Sequence, residues 1–258
     1  MTTSERQLRT SAQTPLRMDL KHVEGLDLHA EYRSVRTGGD FFDAVDLGPR
    51  VIFLQTDIAG TKEATQPIAA AVQQTFRRCG AEFLGPPETN VMDATAQLMQ
   101  QVNHGLMRAA VGVRFAPTFL GCYDVALGIL AYINAGGMTS VFHDSDGARL
   151  LGSSSVPLGL FSHLTYEPSM QAFEPGAKLL LVTKGVMDTQ HGRIHFGAER
   201  LMPLLQDGWA KTATEICRAA LTAADEFKQV PWYRRLRVPF AGRDTEEDST
   251  ALAVVRPA

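Results

Sequence analysis

The chain has 258 residues, of which 45% are hydrophobic and 21% charged, and its net charge is −3 with a pI of about 6.2. This is the composition of a globular protein, and the length suffices for one large core or two small ones, with a single domain as the simpler interpretation. The small negative charge excludes a global basic field that would recruit nucleic acid or anionic lipid.

Cysteine usage and hydrophobicity predict a cytoplasmic chain without a membrane anchor. Cys79, Cys122 and Cys217 are scattered and show neither a disulfide framework nor zinc-ligand spacing, which fits a reducing compartment. No apolar run approaches the ~18 residues that a membrane span requires. The polar stretch 1–22 predicts a flexible tail ahead of a domain that covers residues 23–258.

The first half of that domain predicts strands followed by a helix pair. LDLHAEYRSV alternates apolar and polar residues, and FFDAVDLG with PRVIFLQTDIAG predicts a hairpin that turns at Leu47-Gly48-Pro49. Apolar residues then recur at helical spacing over 64–83 and again over 91–107. A Gly-Pro-Pro turn between these two segments predicts an antiparallel helix hairpin.

The second half predicts a block of strands and then more helix. Strands are expected in PTFLGCYDV, GILAYINAG, MTSVFHDS, LTYEPSMQAF and KLLLVT. FGAERLMPLLQ predicts a helix, and Thr212 with Glu215 forms a capping box for another, before a last strand, TALAVVR. The clustered strands favour an α+β fold, an αββα sandwich of two sheets covered by helices on both outer faces.

Three aspartates stand at turns beside apolar strands. Asp40 follows Gly-Gly, Asp57 ends VIFLQT, and Asp248 precedes TALAVV. Hard carboxylate oxygens without neighbouring His or Cys suit Mg²⁺ or Mn²⁺ better than Zn²⁺. Aspartate is also a common turn residue, so each of them alone favours a structural role.

The order and spacing of eight short motifs resemble the metal-dependent protein phosphatases, the PPM group, in their bacterial SpoIIE/RsbU-type branch. The resemblance extends from about Leu26 to Arg256. The motifs are TGGDFFD at 37–43, DIAG at 57–60, then TFLGCYD, GILAYINAG, PLGLF, EPGAKLLLVTKGV, FGAERL and finally EDST at 247–250.

The resemblance implies an αββα sandwich whose two-metal site, holding Mn²⁺ or Mg²⁺, activates water to attack a phosphoserine or phosphothreonine. It implies that Asp57 bridges both metals and that the Ile58 carbonyl adds a ligand to one of them. Asp40 would support that second metal. Asp248 would hold the first metal together with the aspartate of the family's Thr-Asp-Gly motif.

Lys184 stands where that aspartate is expected, because the motif here is Thr183-Lys184-Gly185. An ammonium group has no lone pair for a metal and repels a divalent cation. The family's residues after D-x-x-G are replaced by Thr61-Lys62, and the histidine of its NAGH motif is Gly137. Weak or partial metal occupancy is therefore expected.

Three interpretations of Lys184 remain open at this stage. Its amine simply reaches water, or its cation takes the vacant metal position and balances Asp57 and Asp248. A Schiff-base lysine is the third, although nothing else in the chain suggests carbonyl chemistry.

Two further features have both a structural and a functional interpretation. His191 and His195 are four residues apart, but Gly192 disfavours the helix that would make them a metal pair. The segment QVPWYRRLRVPFAGRDTEE interleaves aromatics with arginines. It predicts either a loop packed on the domain or a docking surface for an acidic or phosphorylated partner that uses Trp232, Arg234, Arg235 and Arg237.

Two functions are consistent with these patterns. The first is a bacterial signalling phosphatase with weakened metal dependence, acting on a phosphorylated regulatory protein such as an anti-sigma-factor antagonist. The second is a pseudophosphatase that binds such a partner without dephosphorylating it. Neither hypothesis involves nucleic acid or a membrane.

Overall fold

The computed structural model describes residues 25–33, 39–112, 115–206, 212–228 and 248–257. Its strands are β1 Asp27–Arg33, β2 Asp40–Asp46, β3 Arg50–Asp57, β4 Thr118–Asp124, β5 Ile129–Ala135, β6 Thr139–Asp144, β7 Gly147–Leu150, β8 Ser169–Ala172, β9 Lys178–Val182, β10 Gln190–His191, β11 Ile194–His195 and β12 Ser249–Val255. Its helices are α1 Lys62–Leu84, α2 Val91–Ala109, α3 Lys184–Met187 and α4 Ala213–Lys228.

Two five-stranded antiparallel sheets form the middle of the molecule. The first has the order β2-β3-β4-β5-β8 and the second β1-β12-β9-β6-β7. Apolar side chains of both sheets meet in a core that includes Phe53, Phe119 and Phe142. The α1–α2 hairpin covers the outer face of the first sheet, and α4 covers that of the second. The predicted αββα sandwich is therefore confirmed.

Local sequence signals explain where the helices begin. The Asn90 side chain accepts hydrogen bonds from the backbone N–H groups of Met92 and Asp93, which caps α2. The predicted capping box before α4 is also present, since Thr212 and Glu215 each accept a hydrogen bond from the other's backbone N–H. The helix hairpin joined at Gly85-Pro86-Pro87 is confirmed.

Two predicted elements are wrong or too long. FGAERLMPLLQ does not form an α-helix but two short 3₁₀ turns, Ala198–Arg200 and Met202–Leu205. Pro203, which has no N–H, lies within the second turn and limits regular helix there. The strand expected over LTYEPSMQAF is restricted to Ser169–Ala172, because Pro168 cannot donate to a ladder.

The histidine pair lies on a hairpin, not on a helix. β10 and β11 are antiparallel, with His191 opposite Ile194 and Gln190 opposite His195, so the prediction that Gly192 prevents a helical pair is confirmed. Among the residues that the structure describes, no helix combines the length and apolarity needed to cross a bilayer.

Arg50 fixes the helix hairpin to one end of the first sheet. Its side chain is buried, and its Nε donates to Asp124 Oδ2 at 3.0 Å. Its Nη1 and Nη2 groups donate to the backbone carbonyls of Leu84, Pro86 and Pro87. One buried guanidinium therefore satisfies carbonyls at the end of α1 and pairs with the end of β4.

Replacing Arg50 with Met should lower the free energy of unfolding by about 3–5 kcal/mol, because Asp124 would remain as a buried charge without its cation. Urea unfolding followed by circular dichroism measures this. Arg78→Met is the matched control. Arg78 is exposed and forms only an (i, i+4) pair with Glu82, so its loss should cost under about 0.5 kcal/mol. Equal effects of both substitutions would contradict the assigned role of Arg50.

Candidate active site

Three aspartates from distant parts of the chain meet at one edge of the sandwich. Asp40 begins β2 and lies directly opposite Asp57, which ends β3. Asp248 immediately precedes β12 in the other sheet and lies close enough for its charge to act on Asp40. The fold therefore brings these three turns to the same edge of the sandwich.

The Asp40 carboxylate bonds to the opposite sheet through a single oxygen. Its Oδ2 accepts hydrogen bonds from the hydroxyls of Thr183, at 2.7 Å, and Thr250, at 2.6 Å. These two threonines also bond to each other, because Thr250 N donates to Thr183 Oγ1 and Thr183 N donates to the Thr250 carbonyl. Asp40 is therefore joined to the ends of β9 and β12.

Burial raises the pKa of the Asp40 carboxyl well above its ordinary value of 3.8, and the neighbouring charge of Asp57 acts in the same direction. The hydrogen bonds from Thr250 and Thr183 lower the pKa and oppose this effect, while the charge of Asp248 raises it further. The edge thus concentrates negative charge in a poorly solvated place, where a cation would be favourable.

Two glycines allow the backbone to approach these carboxylates closely. A Cβ at Gly39 would lie 2.4 Å from the Ile58 carbonyl oxygen and 3.7 Å from Asp57 Oδ1. A Cβ at Gly185 would lie 2.0 Å from the Asp248 carbonyl oxygen. Any larger residue at either position would displace the backbone that carries the site.

The oxygen atoms beside Gly39 fit a hard cation. Asp57 and the Ile58 carbonyl offer adjacent oxygens of the kind that Mg²⁺ and Mn²⁺ prefer, and the absence of a side chain at Gly39 lets the Ile58 carbonyl oxygen lie where a Cβ would otherwise be. A second metal ion near Asp248 would need a further carboxylate ligand. The residue that follows Thr183 is Lys184, whose ammonium group cannot supply one. Within the described residues, no three His, Cys, Asp or Glu side chains are arranged as a complete metal site.

Lys184 begins the short helix α3, directly after the buried strand β9. Its side chain is 61% exposed, and its Nζ lies 3.3 Å from Asp188 Oδ2 in an (i, i+4) ion pair. An exposed ammonium matches the interpretation in which the amine reaches water. That it balances Asp57 and Asp248 stays a prediction.

The other positions singled out in the sequence are two departures from the family motifs and the predicted docking residues. Thr61 precedes α1 without a side-chain capping bond. Gly137 has a φ of 74°, a conformation that residues with a side chain rarely adopt. Trp232, Arg234, Arg235 and Arg237 lie outside the described residues, so their docking role stays a prediction.

Thr183 and Thr250 are the residues that sequence reasoning missed. Both are fully buried, and both motifs that contain them, TKG and EDST, were recognised without a role for the threonine. The available signal was a hydroxyl at the end of an otherwise apolar strand, where a buried polar group requires a partner.

Comparison with known proteins identifies the family. Residues 50–256 match the family described as Stage II sporulation protein E, SpoIIE. The chain belongs to the SpoIIE family. It is therefore a phosphatase-type signalling domain of the PPM group, whose members generally use Mn²⁺ or Mg²⁺.

Two relatives match parts of the SpoIIE domain. Protein IcfG of Synechocystis is 26% identical over 215 residues, which are 74% of this chain and 33% of IcfG. Phosphoserine phosphatase RsbP of Bacillus subtilis is 36% identical over 66 residues, which are 25% of this chain and 16% of RsbP. The matched regions thus span a third or less of these two relatives.

A solved structure shows the same fold. The RsbU and RsbW domains of a Mycobacterium tuberculosis protein superpose with a TM-score of 0.67 at 20% identity, covering 91% of this chain and 60% of that chain. At this level of identity the likeness concerns the fold alone.

Asp40→Asn should raise the melting temperature at neutral pH in metal-free buffer, because the amide removes a buried charge and still accepts from Thr183 and Thr250. A carboxyl whose folded pKa is raised stabilises the fold fully below its unfolded pKa of about 3.9 and loses that contribution as pH rises through the folded pKa. The advantage of Asp40→Asn over wild type should therefore shrink as pH falls toward that value. Differential scanning calorimetry measures it, and an advantage independent of pH would contradict the assigned charge effect.

Proposed function

We propose that this SpoIIE domain dephosphorylates phosphoserine or phosphothreonine on a regulatory partner protein, with weakened dependence on divalent metal. The observation that carries this proposal is that Asp40, Asp57 and Asp248 lie close enough at one edge of the sandwich for the charges of Asp57 and Asp248 to raise the pKa of Asp40. A purely structural set of turn aspartates has no reason to converge in a poorly solvated place, where like charges repel.

The residues present would hold Mn²⁺ or Mg²⁺ through Asp57 and the Ile58 carbonyl, with Asp40 in support and Asp248 on the other side. Such an ion, when bound, supplies a water of lowered pKa and neutralises phosphoryl charge. The chain's own contribution is to fix the carboxylates. Thr183 and Thr250 orient Asp40, and Gly39, which has no side chain, lets its backbone pack against the Ile58 carbonyl beside Asp57.

Weakened metal dependence follows from the residue at position 184. Lys184 is an ammonium at the motif position where the family resemblance implies a carboxylate, so one oxygen ligand is lost and a charge that repels a divalent cation is gained. At most one ion should bind well, on the side of Asp57 and Ile58.

The second candidate function is a pseudophosphatase that binds a phosphorylated partner without hydrolysing it. The same residue, Lys184, favours it, because an ammonium attracts a phosphoryl group even where it impairs metal binding. A pseudophosphatase needs only to bind the phosphorylated partner. It does not need the metal ions on which hydrolysis depends.

The proposed partner is a phosphorylated regulatory protein such as an anti-sigma-factor antagonist. The similarity to RsbP, a phosphoserine phosphatase, supports a phosphoserine substrate, and such a signalling role fits the cytoplasmic location predicted from cysteine usage. The arginines at 234, 235 and 237, together with Trp232, would add a docking surface for acidic or phosphorylated groups.

Lys184→Asp should raise the affinity for Mn²⁺ on the order of tenfold or more, because it removes a repulsive charge and restores an oxygen ligand. Hydrolysis of a phosphoserine peptide should rise with it, although partial recovery is expected, since Thr61 and Gly137 also depart from the family pattern. Isothermal titration calorimetry and a phosphate-release assay measure the two effects.

Arg78→Asp is the matched control for Lys184→Asp, because it changes the net charge equally on an exposed face of α1. It should leave both quantities unchanged. Wild-type protein that already binds two Mn²⁺ ions tightly and turns over rapidly would contradict weakened metal dependence. Increased metal binding without any hydrolysis in Lys184→Asp would favour the pseudophosphatase.

Replacing Arg234, Arg235 and Arg237 together with Ser should weaken binding of the phosphorylated partner while leaving the melting temperature nearly unchanged, because the proposed role of these side chains is in docking and not in the folded core. Thermal unfolding and partner titration at low and physiological salt measure both. A large loss of stability would show that these arginines belong to the folded structure and would contradict the docking role.

A further inference from the structure

Four exposed apolar side chains lie in two segments that adjoin the candidate active site. Large apolar side chains among the described residues are mostly buried, but Phe115 is 51% exposed and Phe161 59%, with Leu160 at 37% and Val156 at 40%. We call these four residues the Phe115–Phe161 surface. Exposed aromatic residues in such a group are typical of interaction sites.

The backbone of this surface is bonded directly to the site. Ala116 and Leu158 exchange two hydrogen bonds, at 3.0 and 3.1 Å, which join the two segments. The Phe115 carbonyl accepts from Ala59 N at 3.4 Å, and the Pro117 carbonyl accepts from Asp57 N at 3.0 Å. The segment that presents Phe115 is therefore held by the same turn that presents Asp57.

Helix α2 holds the second segment in place. Asn103, which is buried, accepts from Gly159 N at 2.8 Å and donates to the Phe161 carbonyl at 2.9 Å. At the next residue of α2, a His104 ring nitrogen lies 2.9 Å from the Ser162 carbonyl oxygen. Leu160 and Phe161 are thus exposed on a segment whose backbone is fixed, which limits the entropy lost when they bind a partner.

The chemistry of this surface indicates an apolar partner segment. Residues 151–166, which carry Val156, Leu160 and Phe161, contain no Asp, Glu, Lys or Arg, so this segment offers an apolar partner no charged side chain of its own to desolvate. In this proposal the charged phosphoryl group is recognised at the neighbouring candidate active site and not by the Phe115–Phe161 surface.

The size of the surface favours a transient contact over a stable dimer. Its four side chains together expose roughly 300–400 Å². A stable interface between two copies buries about 800 Å² on each partner. An area of this size is enough to contact the few side chains on either side of a phosphorylated residue.

We propose that the Phe115–Phe161 surface binds apolar side chains that flank the phosphorylated residue of the partner protein, and so selects phosphosites with apolar neighbours. The proposal rests on the proposed function, in which the adjoining carboxylate site receives the phosphoryl group. It adds a determinant of substrate choice that is separate from the metal ligands and from the arginines at 234–237.

The test uses the full chain with Mn²⁺ and three probes. One phosphoserine peptide carries leucines on both sides of the phosphoserine, and a second carries serines at the same positions. p-Nitrophenyl phosphate has no flanking side chains. Hydrolysis is followed by phosphate release, and binding of both peptides is measured independently by fluorescence anisotropy.

Phe161→Ser and Phe115→Ser should each weaken binding of the leucine-flanked peptide about five- to tenfold, seen as a higher Kd and a higher KM with kcat unchanged. The serine-flanked peptide and p-nitrophenyl phosphate should respond as they do with wild type. Both side chains are more than half exposed, so their replacement should leave the fold intact, which the melting temperature checks.

Leu127→Ser is the matched control. Leu127 is 67% exposed but lies in the turn between β4 and β5, at the opposite end of the strands that begin near Phe115. At about 3.4 Å per residue this end is roughly 20 Å from the site. The substitution removes a comparable exposed apolar side chain and should change none of the measurements.

Three results would overturn the proposal. They are an unchanged Kd for the leucine-flanked peptide in both Phe variants, an equal change in Leu127→Ser, and a dimer in sedimentation velocity that Phe161→Ser dissociates, which would make a second copy the occupant. If no probe is hydrolysed, the proposed phosphatase activity fails, but the anisotropy measurements still decide whether this surface selects apolar phosphosites.

Discussion

The two sheets are joined at the site by one carboxylate oxygen. Asp40 Oδ2 accepts from Thr183 and Thr250, which end β9 and begin β12 in the second sheet, while Asp40 itself begins β2 in the first. Apolar packing fills the space between the sheets but is non-directional, so it cannot set the position of a particular carboxylate. These hydrogen bonds can, and they place Asp40 between Asp57 and Asp248.

This arrangement combines stabilising and destabilising contributions. Burial and two like charges raise the pKa of Asp40, while the threonine hydroxyls oppose the increase. Such a cluster is unfavourable in isolation and becomes favourable when positive charge is nearby. In a SpoIIE domain that charge comes from divalent metal, and in this chain Lys184 adds an ammonium at the same end of β9. Our proposal of weakened metal dependence rests on this difference at position 184.

Sequence patterns were sufficient for the layers of the fold. Helical spacing in α1 and α2 reports burial directly. The aspartates were singled out by the resemblance to the family motifs, because each one alone is an ordinary turn residue. FGAERLMPLLQ was predicted as helix because its apolar spacing is helical, yet Pro203 and tertiary packing leave only 3₁₀ turns. Thr183 and Thr250 were missed because a hydroxyl's partner depends on register across two sheets, and the pattern of one strand carries no information on that register.

The proposed function implies one metal position at Asp57 and Ile58, with the other weakened by Lys184. The most direct measurement is a crystal structure of the wild-type protein with saturating Mn²⁺, with the anomalous signal of manganese used to locate the ions. The account predicts one manganese peak beside Asp57 and the Ile58 carbonyl oxygen. Two peaks of equal occupancy, one of them coordinated by Asp248 with Lys184 turned away, would contradict it.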